Sequence, residues 1–173
     1  MKKIAIILAS FLLFSCGSDD TAEIIETPQQ NGFNYDGSFY QIKTVYINDE
    51  NTSDSNPSDI GFSFVNKTNA EISGSTDLTQ MATINFDYTA VNVQQGTFTN
   101  VGDYNGSINK NRVSGVTSAG TPILDDNVIS LQASNISFTI NNITSTTVDI
   151  SFSFTRTDGE IISGHYNGNY LIP

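Results

Sequence analysis

Val148-Asp149-Ile150-Ser151-Phe152-Ser153-Phe154-Thr155-Arg156 alternates large apolar with small polar residues up to Thr155. Successive side chains of a strand point to opposite faces, so this is the period of a strand buried on one side. Asp158-Gly159 follows, and the chain returns through Glu160–Leu171 with Ile162, Gly164, Tyr166, Gly168 and Tyr170 at the same period. The length of the turn sets the register. A two-residue turn would pair Phe152 with His165 and Phe154 with Ser163, apolar against polar. A three-residue turn, Thr157-Asp158-Gly159, puts Gly159 at the left-handed position such loops use. It sets Arg156 opposite Glu160, Phe154 opposite Ile162, Phe152 opposite Gly164 and Ile150 opposite Tyr166. The large apolar groups then share one face, and this register is the one predicted.

The same pattern extends back along the chain. Phe33–Tyr35 leads into Asp36-Gly37, a strong hairpin signal. Ser38–Ile47 is rich in β-branched and aromatic residues, and Ile60, Phe62 and Phe64 alternate. Met81–Val93 carries Ile84, Phe86 and Tyr88 at period two. Short strands are expected at Ala70–Ser75, around Phe98, at Tyr104–Ile108, Arg112–Thr117, Val128–Ala133 and Ile136–Ile140. Asn48–Asp59, Thr121-Pro122 and Asp125-Asp126-Asn127 read as loops. No stretch has a helical apolar period of useful length. Strands this regular, with turn residues between them, predict an all-β fold. The expected form is a single antiparallel β-sandwich over residues 32–173, with a small lipocalin-like β-barrel as the alternative.

The predicted register places Asp149, Ser151, Ser153, Ser163, His165 and Asn167 together on the face away from the core. Asp149, Ser151, His165 and Asn167 are the candidate polar face. Serine, histidine and aspartate within reach invite a nucleophile reading. A flat strand face supplies neither an oxyanion hole nor a pocket, so no catalytic residue and no enzyme is expected. Asp49, Glu50, Asp54 and Asp59 share one polar loop, and Asp125 and Asp126 another, but no Asp-x-Asp-x-Asp-Gly calcium pattern is present. With one histidine and one cysteine, zinc is not expected either. Neither a cofactor nor a metal is expected. Sugar sites on β-domains stack a ring on an aromatic side chain. The chain has no tryptophan, so Tyr40, Tyr46, Tyr104 and Tyr170 are the candidates for ligand stacking.

The other end of the chain reads differently. Lys2 and Lys3 precede an apolar run, Ile4–Phe14, too short to span a bilayer, which needs roughly 20 apolar residues. Leu13-Phe14-Ser15 leads directly to Cys16, the only cysteine. This resembles the lipobox of bacterial lipoproteins, with a bulkier middle residue in Phe14. The resemblance implies a signal peptide at 1–15 and acylation, including palmitate, of Cys16, which becomes the mature N-terminus. One chain binds a membrane only marginally, whereas two or three anchor stably. With no second cysteine, the domain has no disulfide to lean on. Loss of Lys2 and Lys3 leaves five of the seven basic residues against eighteen acidic ones, a net charge of −13. So acidic a chain is not expected to bind nucleic acid or to adhere to anionic lipid by charge.

Residues 16–31 carry Asp19, Asp20, Glu23 and Glu26 and few large apolar groups, so they read as an acidic, flexible linker. About 15 residues of coil reach on the order of 20 Å. Gly17-Ser18-Asp19-Asp20 resembles the acidic export signal of surface lipoproteins in Bacteroidota-type bacteria, and Asp20-Thr21-Ala22 resembles their O-glycosylation motif at Thr21. The resemblance implies an outer-membrane address facing the cell exterior. Taken with the fold, it predicts a monomeric, non-catalytic binding or accessory module; the sequence does not name its ligand, and a glycan is the candidate. The alternatives are an assembly partner of another envelope protein, and a hydrolase using the Ser151/His165 face.

Overall fold

The computed structural model describes residues 29–74 and 76–173. Residues 1–28, with the expected signal peptide, Cys16, Thr21 and most of the expected linker, lie outside the described residues. Twelve strands are described: β1 (Gly32–Tyr35), β2 (Ser38–Gln41), β3 (Thr44–Asp49), β4 (Ser58–Val65), β5 (Leu78–Ala90), β6 (Gly96–Phe98), β7 (Tyr104–Val113), β8 (Val116–Thr117), β9 (Thr121–Asp125), β10 (Ala133–Ile143), β11 (Thr147–Arg156) and β12 (Ile161–Asn169). One helical turn, α1 (Asn69–Ser73), lies between β4 and β5, and a 3-10 turn (Ile129–Leu131) precedes β10. No helix among the described residues is long and apolar enough to cross a membrane.

The strands form two antiparallel sheets. The first runs β2-β1-β12-β11-β10-β6, and the second β3-β4-β5-β7-β8, with β9 also paired to β7. Only one bridge outside the named strands is described, the parallel pair Tyr46–Leu171, which lays the end of the chain along β3. The two sheets keep separate edges, so the fold is a β-sandwich and not a closed barrel. β11 and β12 pair in the predicted register, with Ser151 opposite His165, Phe152 opposite Gly164 and Phe154 opposite Ile162. Gly159 has φ +90°, and its N–H donates to the Arg156 carbonyl at 3.0 Å. The turn chemistry and the period therefore agree in practice, as the sequence required. The Asp36-Gly37 hairpin also forms, both residues at positive φ.

Between the sheets lies one aromatic core. Phe62, Phe64, Phe86 and Tyr88 of the second sheet meet Phe138, Phe152 and Phe154 of the first. The Phe64–Phe152 centroids are 5.0 Å apart and the Phe86–Phe138 pair 5.1 Å, close enough for edge and tilted packing. Burial pushes the Tyr88 phenol up to about 12.

Four local expectations are corrected. Ala70–Ser73, expected to begin a strand, is helical. Thr68 and Glu71 form a capping box that starts α1, with Glu71 N–H donating to Thr68 Oγ1 at 3.2 Å and Thr68 N–H to Glu71 Oε2 at 2.8 Å. That Thr-x-x-Glu spacing was present in the sequence. Arg112 closes the other end of the turn through the carbonyls of Glu71, Ile72 and Gly74 at 2.6–2.9 Å. Thr121-Pro122 is not a loop but the start of β9, where Ile123 and Leu124 are fully buried. Pro122 is tolerated because its pairing falls at a register irregularity opposite Ser107. Val128–Ala133 is no strand of its own: Ile129–Leu131 form the 3-10 turn, with Ile129 left exposed, and Ala133 opens β10. Arg112–Thr117 is no separate strand; β7 runs on to Val113 and turns at Ser114-Gly115 into β8.

Candidate functional site

Asp149, Ser151, His165 and Asn167 do meet on the outer face of the first sheet. His165 Nε2 lies 3.2 Å from Asp149 Oδ1, and Asn167 Nδ2 donates to Asp149 Oδ2 at 3.0 Å. Asn141 Nδ2 donates to Asp149 Oδ1 at 2.8 Å and to Ser151 Oγ at 3.3 Å. Asn141 arrives there because a bulge between Ile140 and Asn142 gives β10 an extra residue, a feature that re-aims side chains. Asn31 adds a reciprocal pair of hydrogen bonds with the Asn167 backbone, at 3.0 and 2.7 Å. Neither Asn141 nor Asn31 was singled out from the sequence. The bulge depends on pairing that no local pattern announces.

This cluster lacks the links of a nucleophilic triad. No hydrogen bond joins His165 to Ser151 among the described residues. The imidazole spends Nε2 on Asp149, and its Nδ1 is buried without a partner. Ser151 instead accepts from Asn141. A general base must reach the proton it takes, and this arrangement holds Asp149 in a network of amide donors. His165 is 9 % exposed. The Phe39 ring lies over Gly32, the residue of β1 opposite His165, where a Cβ would come within 2.2 Å of the ring.

The four tyrosines part company. Tyr104 is buried beside Phe154, with centroids 5.7 Å apart, and its hydroxyl accepts the Ala133 N–H at 3.0 Å, so it offers no face to a ligand. That corrects its candidacy: β7 turns it inward. Tyr40 stacks on Phe33 at 5.0 Å, and Tyr170 packs at the core rim with its hydroxyl on the Thr144 carbonyl at 3.2 Å. Tyr46 alone of the four stands on the outer face of the second sheet, where its hydroxyl donates to Asn69 Oδ1 at 2.7 Å.

Beside Tyr46 is a depression of about 260 Å³. Gly61 forms part of its floor, and Asn48, Ser63, Asn85, Asn105, Asp87, Asp103 and Pro173 contribute to its walls. The strand register brings them into rows: Tyr46, Ser63, Asn85 and Asn105 lie opposite one another across β3, β4, β5 and β7. Ser63 Oγ donates to Asn85 Oδ1 at 2.6 Å, and Asn85 Nδ2 to Asn105 Oδ1 at 2.8 Å. Burial, then the Asp59 and Asp103 charges, push the Asp87 carboxyl up. The result is a shallow concavity whose surface is mostly carbon, bordered by one phenol and a row of amides and hydroxyls. Such a surface suits a flat, hydroxyl-rich ligand: an aromatic ring takes its C–H face and amides take its hydroxyls.

The acidic loops are internally satisfied. Asp49 Oδ1 accepts from Asn51 N–H at 3.1 Å, and Asp54 Oδ1 from Asn51 Nδ2 at 2.7 Å and Asn56 N–H at 2.8 Å. Among the described residues, no group of three or more His, Cys, Asp or Glu is placed to hold a metal ion. Cys16 and Thr21 lie outside the described residues.

Fold and face together define a class: an antiparallel β-sandwich with polar outer faces. No family model, no curated protein and no solved structure was found to match the chain.

Proposed function

We propose that the protein is a lipid-anchored, non-catalytic cell-surface module that binds a neutral glycan unit in the depression beside Tyr46. The observation that carries this reading is that concavity: an outward phenol next to an ordered amide and hydroxyl row. Gly61 gives the test. A Cβ there would meet only the Asn48 carbonyl oxygen, at 3.9 Å, so a larger side chain fills the depression without disturbing the sheet. Gly61→Val should leave the melting temperature unchanged and abolish binding of the full chain to an array of neutral oligosaccharides. An array with no hits, or equal binding by the variant, would sink the glycan reading.

The anchor is proposed from Leu13-Phe14-Ser15-Cys16 and its acidic neighbours, with the outer membrane as address and the exterior as the side faced. Cys16→Ala should move the protein from the detergent phase to the aqueous phase on phase partitioning. Persistent detergent partition would remove the anchor. A second reading, docking on another envelope protein, is favoured by one feature: Val113 and Val116 face each other across the β7–β8 turn, 55 % and 74 % exposed. Paired exposed valines on a short edge strand are the kind of apolar tip a protein partner covers.

A further inference from the structure

We infer that the protein has a second binding site, at Lys43 and Lys67, which takes the oxyanion of an acidic sugar. The chain is strongly acidic, yet its lysines gather. Residues 29–173 hold five basic side chains: Lys43, Lys67, Lys110, Arg112 and Arg156. Arg112 is spent on the carbonyls around α1 and Arg156 on Asp158. Lys43 and Lys67 line a depression of about 470 Å³ with Gln41, Asn66, Gln80 and Asn109, beside Ser38, Phe39 and Tyr40. Lys110 follows Asn109 directly. Among the described residues, no acidic residue lines it and none of the three lysines is in a salt bridge.

Glu71 is an acid that feels both lysines. Its carboxyl is held low first by the Thr68 backbone N–H, then by the Thr68 hydroxyl, with the Lys43 and Lys67 charges as smaller causes. No ion pair joins Glu71 to Lys43 or Lys67 among the described residues, so both ammonium groups keep donors to offer. Charges farther away are screened over about 8 Å at physiological salt, so a local basic patch keeps its sign on an acidic protein.

Backbone strain points to the same place. Gln80 and Asn109 both line the depression, and both have positive φ, +52° and +55°, without being glycine. The β5–β7 register shifts on either side of Met81, next to Gln80. Three side-chain bonds hold the Gln80 bend: Asn66 Nδ2 donates to the Gln80 carbonyl at 2.9 Å, Ala82 N–H to Asn66 Oδ1 at 2.8 Å, and Gln80 N–H to Asn111 Oδ1 at 3.0 Å. Non-glycine residues held in left-handed conformations by surrounding bonds cluster at functional sites. The bend gathers amide side chains beside two ammonium groups. The ammoniums suit an oxyanion, and the amides suit the hydroxyls of the sugar that carries it.

The site shares no residue with the depression beside Tyr46, so it stands or falls independently of the neutral-glycan reading. The test is calorimetric titration of the full chain in neutral detergent with trigalacturonate, a sulfated disaccharide and an uncharged trisaccharide. At least one anionic sugar should bind, more weakly as salt rises, and better than the uncharged one. Lys43→Gln and Lys67→Gln should each weaken it by about tenfold, the worth of one charge-assisted hydrogen bond. Both lysines are on the surface, so these variants should melt like the parent chain. A preference for carboxylate or for sulfate would name the oxyanion, and either supports the site. Three results overturn it: no anionic sugar binds, the lysine variants bind equally well, or Gly61→Val removes the anionic ligand.

Discussion

Phe86→Ala is expected to lower the free energy of unfolding by about 3–5 kcal/mol, the usual cost of emptying a buried phenylalanine site. The ring is 2 % exposed. Its centroid lies 5.5 Å from Phe62, 5.6 Å from Phe64, 5.1 Å from Phe138, 5.9 Å from Phe152 and 5.6 Å from Phe154. It touches neighbours on its own sheet and on the facing one, so removing it opens a void where the two layers interlock. Aromatic rings around such a void cannot collapse far, which places the cost toward the upper part of the range. A domain of this size has about 5–15 kcal/mol to lose. Denaturant titration should show a lower midpoint with an unchanged slope. A loss below about 1.5 kcal/mol would mean that the core does not pack as described.

Gly164→Val is expected to be as damaging for the opposite reason. A Cβ at Gly164 would sit 2.3 Å from Phe152 Cζ and 2.8 Å from both Cε atoms. The Phe152 ring has nowhere to go: Phe64 is 5.0 Å away, Phe86 5.9 Å and Phe154 6.1 Å between centroids. Overpacking a closed core typically costs about 1–3 kcal/mol, and a clash with a ring boxed on three sides should reach or pass the top of that range. Combining Gly164→Val with Phe152→Ala should cost less than the sum of the two single changes, because the valine then occupies the space the ring leaves. Additive losses would show that the two residues do not face each other, and would take the β11–β12 register with them.

That register was legible because its causes are local. The period of Val148–Thr155, the glycine at 159 and the need to keep Phe152 and Phe154 on one face admit one pairing. The polar set of Asp149, Ser151, His165 and Asn167 followed from it without further assumption. The Asp36-Gly37 hairpin was legible on the same grounds. What misled was composition without context. Thr121-Pro122 and Asp125 look like loop residues, yet Ile123 and Leu124 between them complete the core. Tyr104 looks like any surface tyrosine until β7 is paired. The capping box at Thr68 and Glu71 was readable, but Ile72 and its neighbours suggested a strand.

The sequence by itself determined the all-β class, the closing hairpin and its register, and the sharp change from an apolar run and an acidic stretch to alternating strands. These depend on side-chain period, turn geometry and charge, which act within a dozen residues. Only the tertiary structure decided that the strands form two sheets with separate edges, that Tyr46 and not Tyr104 faces outward, and that Asn141 joins Asp149. It also decided that Lys43, Lys67, Gln80 and Asn109 line one hollow. These features come from pairings between strands far apart in the chain, where register is chosen by how aromatic rings fill the space between two layers. A bulge or a crossover that satisfies that packing leaves no periodic trace in the residues it moves.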